Sequence, residues 1–343
     1  MEGRTPAGVA MPGDPDPMRP IFRVHPGRSL AVALAVLATL ACPAAGAEDG
    51  AAGRALLSKV DAAVTCLNAL SEQIYASRGR YFSWASRSGP TGRERIIYGL
   101  HSIDNPSDCR EALEIANDVA PHHPEIEAAG RIYVNTVTNL YPVVGEAERY
   151  YDQDSYKDDH MVRGKALHPL LVAGFDDFVV ADQNLRQLIE PVNDARGLQD
   201  LAAIETKEGR NLHYHLAALL VDARQMVVAM TGHRDAERIT AAIAQYETTL
   251  TALAPHEDEE GMDPMLLSNA RSFLASSRTF MRRIRDHIPY DIAERAILSD
   301  PDPGSHWMVE GSPENLARLY NELVDTRNEH TASPILHWIP VTP

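Results

Sequence analysis

The chain lacks the basic excess that binding to nucleic acid requires. Its 343 residues include 32 lysines and arginines against 48 aspartates and glutamates, which gives a formal net charge of −16. Nucleic-acid phosphates are neutralised mainly by Lys and Arg side chains, and anionic lipid surfaces attract polybasic segments. We therefore expect no nucleic-acid partner and no electrostatic attachment to a membrane surface.

Long apolar runs are equally scarce. One run spans residues 30–40 and is broken only by Thr39, whereas a helix that crosses a bilayer needs about 20 apolar residues. No other run in the chain is long enough, so the sequence predicts no transmembrane helix.

The chain also lacks strand signals and the common catalytic motifs. It contains no Asn-Gly hairpin turn and no sustained apolar–polar alternation. It contains no G-x-S-x-G nucleophile elbow, no H-E-x-x-H zinc motif and no glycine-rich phosphate loop. We therefore predict a protein that is not an enzyme and has no cofactor.

The N-terminus has the pattern of an export signal. A basic stretch with Arg19, Arg23 and Arg28 precedes the apolar run. Ala45-Gly46-Ala47 then fits the small-residue rule for signal peptidase. The sequence therefore predicts that residues 1–47 are a leader and signal peptide, and that the mature protein begins at Glu48 in the periplasm.

A lipoprotein is the alternative interpretation of this segment. Cys42 follows the apolar run directly, but Thr39 occupies the place where a lipobox needs leucine, and Leu40 lies one residue too late. Soluble export is therefore favoured over an outer-membrane anchor at Cys42, and only that anchor would bring the protein to a membrane. Whether the chain starts at Met1 or Met18 stays open.

Removal of the leader leaves two cysteines, Cys66 and Cys109. Disulfides persist in oxidising compartments, where free thiols are uncommon. The sequence therefore predicts one disulfide between these residues, and the alternative is two unrelated thiols.

Helical periodicity dominates from residue 52 onward, with apolar residues at three- and four-residue steps. Such stripes are typical of amphipathic helices that bury a shared seam. The third helix is expected from about Lys157 to Pro191 and the fourth from about Leu198 to Met230. The predicted fold class is all-α, an elongated bundle of long amphipathic helices with a short irregular C-terminal extension.

The expected domain organisation follows from where this pattern breaks. The helical bundle should occupy residues 48–288. Within it, residues 81–120 form a long connection with a short helix near residues 110–119. The C-terminal extension, residues 289–343, is rich in proline and carries one short helix, expected to start at Pro313.

Polar and aromatic residues cluster where the second and third long helices should meet. The candidate binding residues are Tyr150, Tyr151, Tyr156, Asp158, Asp159, Lys165 and His168. They could line a cleft for a polar ligand. Alternatively, the tyrosines pack the corner with their hydroxyls bonded to aspartates, while Asp158 or Asp159 caps the next helix. The packed corner is the favoured interpretation.

Metal binding is weakly supported. The aspartates from Asp152 onward do not match an EF-hand, whose fifth, sixth and twelfth positions here hold Tyr156, Lys157 and Arg163. His160 and His168 lie about two helical turns apart, too far for shared chelation. We predict no metal site, but the histidines keep a metal- or haem-related binding protein of the envelope as an alternative.

Three short segments carry a family resemblance. They resemble the central signature of the YiiG-like family of bacterial envelope proteins, a domain of unknown function (DUF3829). The segments are Tyr150-Tyr151-Asp152, Tyr156-Lys157-Asp158-Asp159 and Gly164-Lys165-Ala166-Leu167-His168. The resemblance spans roughly residues 55–285. It implies an all-helical, exported and often lipidated protein with no established activity.

These observations favour a non-enzymatic, exported helical bundle. Its partner would be an envelope protein or a small ligand. The weakest alternative is a hydrolase that uses paired carboxylates from residues 152–159.

Overall fold

Helices account for the regular secondary structure of the computed structural model. It describes residues 44–231, 235–260, 262–300, 303–328 and 333–340. Among these residues there is no β-strand. None of the helices formed by these residues has an apolar stretch of the length that spanning a membrane requires. The predicted all-α fold class is confirmed. The predicted leader lies outside the described residues as far as residue 43, and Cys42 with it.

The helices are named in chain order. They are α1 (Ala44–Trp84), α2 (Ser107–Asn117), α3 (Pro124–Asp152), α4 (Val162–Glu208), α5 (Leu212–Thr231), α6 (Ala236–Leu253), α7 (Pro264–Asp286), α8 (Ile292–Leu298) and α9 (Pro313–Asn328). Short 3₁₀ turns occupy Ser155–Lys157, Ala254–His256 and Pro303–Met308.

The apolar stripes of these helices converge on two cores. Helices α1 to α4 bury the first core, with Leu67, Tyr133 and Phe178 fully buried. Helices α5, α6, α7 and α9 bury the second, around Tyr246 and Phe273. Helices α4 and α5 also contact each other, so the two cores lie on consecutive helices of one chain.

A disulfide and a buried lysine attach α2 to α1. Cys66 and Cys109 form the predicted disulfide, with their Cα atoms 5.2 Å apart. Lys59 is 1% exposed, and its Nζ donates to the carbonyl of Ala116 at 2.7 Å and to that of Val119 at 2.6 Å. Because the C-terminal end of a helix carries partial negative charge, this cation suits the end of α2.

A buried ion pair lies inside the first core. Asp182 of α4 is fully buried, and its Oδ2 accepts from Arg186 Nε at 3.0 Å. Ser71 Oγ donates to Asp182 Oδ1 at 2.6 Å, and the Tyr75 hydroxyl donates to Oδ2 at 3.1 Å. Tyr133 of α3 lies 3.0 Å from Ser71 Oγ. One carboxylate therefore joins α1, α3 and α4.

Residues 333–340, which we call the C-terminal strap, connect both cores. Asn68 of α1 exchanges two hydrogen bonds with the strap, at 2.8 and 2.9 Å. Asn321 of α9 exchanges two with Trp338, at 2.8 and 3.0 Å. Arg186 adds a bond to a strap carbonyl at 2.9 Å. The strap is therefore fixed to helices of both cores.

The predicted bounds of α4 and α5 were wrong. Helix α4 begins at Val162 and continues through Pro191 to Glu208. Burial of Ile189 and Asn193 on either side of the proline outweighs the lost backbone hydrogen bond. The break falls instead at Gly209, whose φ of +75° suits glycine.

The predicted C-terminal extension is more regular than expected. It contains α8 as well as α9, and Asp291 and Glu294 form a capping box at the start of α8. Helix α9 packs against α7, and its buried Tyr320 belongs to the second core. The expectation of a single short helix there was wrong.

Replacement of Asp182 by alanine is expected to destabilise the fold by about 3–5 kcal/mol, since Arg186 then stays buried without its counter-ion. The measurement is the free energy of unfolding from chemical denaturation.

Asp176 provides the matched control for this prediction. It lies on the same helix and pairs with Arg87 at 2.8 Å, where both side chains are about half exposed. The D176A substitution should cost less than about 1 kcal/mol. A D182A variant as stable as D176A would show that the buried pair does not hold the first core.

Candidate functional site

The predicted cluster lies at the corner between α3 and α4. The chain reverses there through the 3₁₀ turn, with Asp154, His160 and Met161 at φ values of +56°, +54° and +66°. His160 is therefore part of the turn. The expectation that it shares a helix with His168 was wrong, because α4 begins only at Val162.

Asp159 connects the two helices at this corner. Its Oδ1 accepts from the Tyr150 hydroxyl at 2.7 Å, and its Oδ2 accepts from the Arg163 backbone N–H at 2.8 Å. The second bond satisfies one of the free N–H groups in the first turn of α4. Asp159 is thus the capping aspartate, whereas Asp158 is exposed and makes no side-chain hydrogen bond among the described residues.

The same contacts shift the pKa values of both partners. Partial desolvation raises the pKa of Asp159, but the hydrogen bonds from Arg163 and Tyr150 outweigh it and hold that pKa below its ordinary value. Burial, and then the hydrogen bond to Asp159, raise the pKa of Tyr150 to about 12. The pair therefore combines a carboxylate with a neutral phenol at neutral pH.

Tyr151 fills the inside of the corner. It is buried, and its ring centroid lies 5.0 Å from those of Trp84 and Tyr150. Burial, and then the neighbouring Tyr81, raise its pKa. A Cβ atom at Gly164 would lie 2.8 Å from the Tyr151 hydroxyl. The first turn of α4 therefore packs directly on the tyrosines, and glycine at position 164 permits it.

His168 is a structural connection between α4 and α1. Its Nε2 lies 3.1 Å from the carbonyl oxygen of Arg87, and its Nδ1 lies 2.8 Å from the Tyr81 hydroxyl. Since a carbonyl only accepts, Nε2 carries the hydrogen and Nδ1 accepts from Tyr81. Both nitrogens are used within the fold, and the side chain is buried.

Lys165 and His168 are the two predicted residues that border an open recess, of about 480 Å³. Lys165 is exposed at its rim, and the opposite wall is the loop at residues 88–93. Tyr156 is half-buried, with Lys157 Nζ 5.6 Å from its ring centre. The geometry supports the packed-corner interpretation for Tyr150, Tyr151 and Asp159, which do not border this recess.

A second cavity, which we call the α4–α5 cleft, lies elsewhere and holds about 120 Å³. Its walls come from α4, α5, the end of α9 and the C-terminal strap. The lining residues are Asn193, Asp194, Arg196, Gly197, Asp200, Ile204, Ala217, Leu220, Val221, Arg224, Gln225, Arg327, Ser333 and Ile335. Sequence reasoning missed this cleft, because it brings together segments far apart in the chain.

Two of the three arginines in the cleft are paired. Arg224 donates to Asp194 at 2.9 Å, and Arg196 donates to Asp61. Arg327 is half-buried and has no hydrogen bond or ion pair within the described part of the chain. Desolvation accordingly lowers its pKa. The cleft thus contains a cation that has no partner among the described residues and lies beside apolar side chains.

Several histidines each pair with one carboxylate, and the ring centroid of His215 lies 5.3 Å from that of His256. His213 lies 3.1 Å from Glu208, and His256 lies 2.7 Å from Glu259. Among the residues that the structure describes, no three His, Cys, Asp or Glu side chains are grouped as metal ligands would be.

The fold and its signature corner define an all-helical protein with two apolar cores and a strap across them. The family model described as "Protein of unknown function (DUF3829)" matches residues 54–329, and the chain belongs to this family. The predicted resemblance is confirmed, and it extends beyond residue 285 to include α9.

The chain is similar to the protein named "Uncharacterized protein YiiG" of Escherichia coli (strain K12). The two are 32% identical over 275 residues, which cover 79% of this chain and 78% of that protein. No solved structure matches the chain.

Replacement of Asp159 by asparagine is expected to lower the thermal midpoint at neutral pH, because a neutral amide accepts more weakly than a carboxylate. The folded-state pKa of Asp159 is depressed, so its contribution is fully present above the unfolded value of about 3.9. It is lost as the pH falls through the folded-state pKa. Thermal melts from pH 7 to pH 2 should therefore show a shrinking difference between the wild type and D159N.

Asp158→Asn is the neighbouring control, with no expected difference at any pH, since this exposed side chain bonds to nothing described. A D159N deficit that stayed constant down to pH 2 would contradict the capping role.

Proposed function

We propose that this protein is exported to the bacterial periplasm and binds a small ligand there without catalysing a reaction. The observation that carries the proposal is the α4–α5 cleft, where a half-buried Arg327 has no partner among the described residues. Small-ligand sites are typically concave, largely apolar and provided with a few polar groups. The cleft has these properties.

Export is supported by the leader and by the disulfide. The leader has a basic stretch, an apolar run and small residues before the expected cut after Ala47. The Cys66–Cys109 bond links α1 to α2 within the first core. A buried structural disulfide is typical of an oxidising compartment.

A non-enzymatic role is supported by how the reactive side chains are used. His168 spends both ring nitrogens on contacts within the fold. Asp159 accepts from Tyr150 and from the first turn of α4. Groups held in this way stabilise the corner, and an acid or base in catalysis would need a free position for substrate.

The experiment is cell fractionation of a bacterium that makes the full chain, followed by mass spectrometry of the mature protein. We expect the protein in the soluble periplasmic fraction, starting at Glu48 and carrying a Cys66–Cys109 cross-link in non-reduced digests. The C42S variant is the control and should be processed and located like the wild type.

Each other result would revise the proposal. A membrane-bound product that starts at a lipidated Cys42, and that C42S releases or leaves uncut, would establish the lipoprotein. An uncut chain in the cytosol with both thiols free would overturn export.

A further inference from the structure

We propose that the α4–α5 cleft binds a small organic monocarboxylate with an apolar body, and that Arg327 anchors the carboxylate. This inference rests on the proposed binding function and specifies its ligand class. Nothing in the predicted corner takes part in it.

The apolar part of the cleft comes from three segments. Ile204 of α4 and Leu220 and Val221 of α5 face it, and Ile335 of the strap closes one side. Burial of aliphatic groups against such side chains favours binding in proportion to the apolar area removed from water. The body of the ligand is therefore expected to be aliphatic.

The anchoring charge is identified by elimination among the arginines of the cleft. Arg224 pairs with Asp194 and Glu190, at 2.9 and 3.3 Å. Arg196 pairs with Asp61 and also donates to a strap carbonyl. Arg327 alone among the three has no partner in the described residues. A partly desolvated guanidinium gains most from a carboxylate, to which it can donate two parallel bonds.

The surroundings restrict the charge and size of the ligand. Asp194 and Asp200 also line the cleft, and Asp61 lies beside Asp200 closely enough for the two to repel. A dianionic phosphate would meet that repulsion with only Arg327, which is unpaired among the described residues, to offset it. A single negative charge therefore fits better. The volume of the cleft is about 120 Å³, which is below the several hundred Å³ typical of pockets for drug-sized ligands. The ligand is therefore expected to be short.

The position of Arg327 in the last turn of α9 has a simpler structural explanation, because a cation stabilises the C-terminal end of a helix. That role does not depend on the charge of a ligand. A test must therefore compare ligands that differ only in charge.

The experiment is isothermal titration of the mature protein, purified as cells process it, with three matched probes. These are 4-methylpentanoate, its neutral amide 4-methylpentanamide, and the amine 3-methylbutylamine. We expect saturable binding of the carboxylate, at least roughly ten-fold weaker binding of the amide, and weaker binding still of the amine.

The R327Q variant tests the anchor. It should bring the carboxylate-to-amide affinity ratio close to one while circular dichroism stays unchanged. The matched control is R318Q on the same helix, because Arg318 pairs with Glu322 at 2.7 Å and does not line the cleft. R318Q should keep the wild-type ratio.

Three results would overturn the inference. If R327Q kept the full preference for the carboxylate, Arg327 would be a helix-terminal charge alone. If the amide bound as tightly as the carboxylate, the ligand class would be wrong while a binding cleft would stand. If none of the three probes bound, the cleft would not be a carboxylate site, and the export part of the proposed function would keep its separate measurement.

Discussion

The contact between Asp182 and Arg186 is the constraint around which the first core is arranged. Asp182 is fully buried, and a buried carboxylate is tolerable only where cations and donors surround it. Its donors come from α1 and α4, and Tyr133 reaches it through Ser71. Apolar stripes allow helices to slide or rotate against one another, whereas this group of bonds has one arrangement. It therefore fixes the relative register of α1, α3 and α4.

Similar polar contacts occur near the end of α2 and near the start of α4. Lys59 donates to a carbonyl at the end of α2, and Asp159 accepts from the first turn of α4. His168 joins α4 to the loop after α1. Each of these three side chains has backbone or side-chain partners within the fold. Arg327 differs from these side chains, because it has no partner among the described residues. Arg327 lies in the α4–α5 cleft, away from the corner between α3 and α4.

The long helices α1, α3, α6 and α7 were predictable because each buries a continuous apolar stripe, which the sequence shows as apolar residues at three- and four-residue steps. Helix α8 buries no residue and was not predicted. Capping by an aspartate was predictable because Asp158 and Asp159 lie near the expected start of this helix, but the sequence did not distinguish between the two. The end of α4 was not, because Pro191 suggested a break that packing on both sides of it overrides. The correct signal for the end of α4 was Gly209, which directly follows Glu208. Asp182 looked like one charged residue among many on a long helix, and the α4–α5 cleft depends on segments that only the tertiary fold brings together.

The C-terminal strap has a consequence for the order of events during folding. Its hydrogen bonds to Asn68 and Asn321 close both cores, yet it is synthesised after every helix that it ties together. Ribosomal synthesis proceeds from the N-terminus at about 5–20 residues per second. Many seconds therefore pass between the synthesis of α1 and the synthesis of the strap to which it bonds. A chain built in this way stays incompletely closed during translation. The hydrogen bonds between α1 and the strap are therefore among the last contacts of the first core that can form.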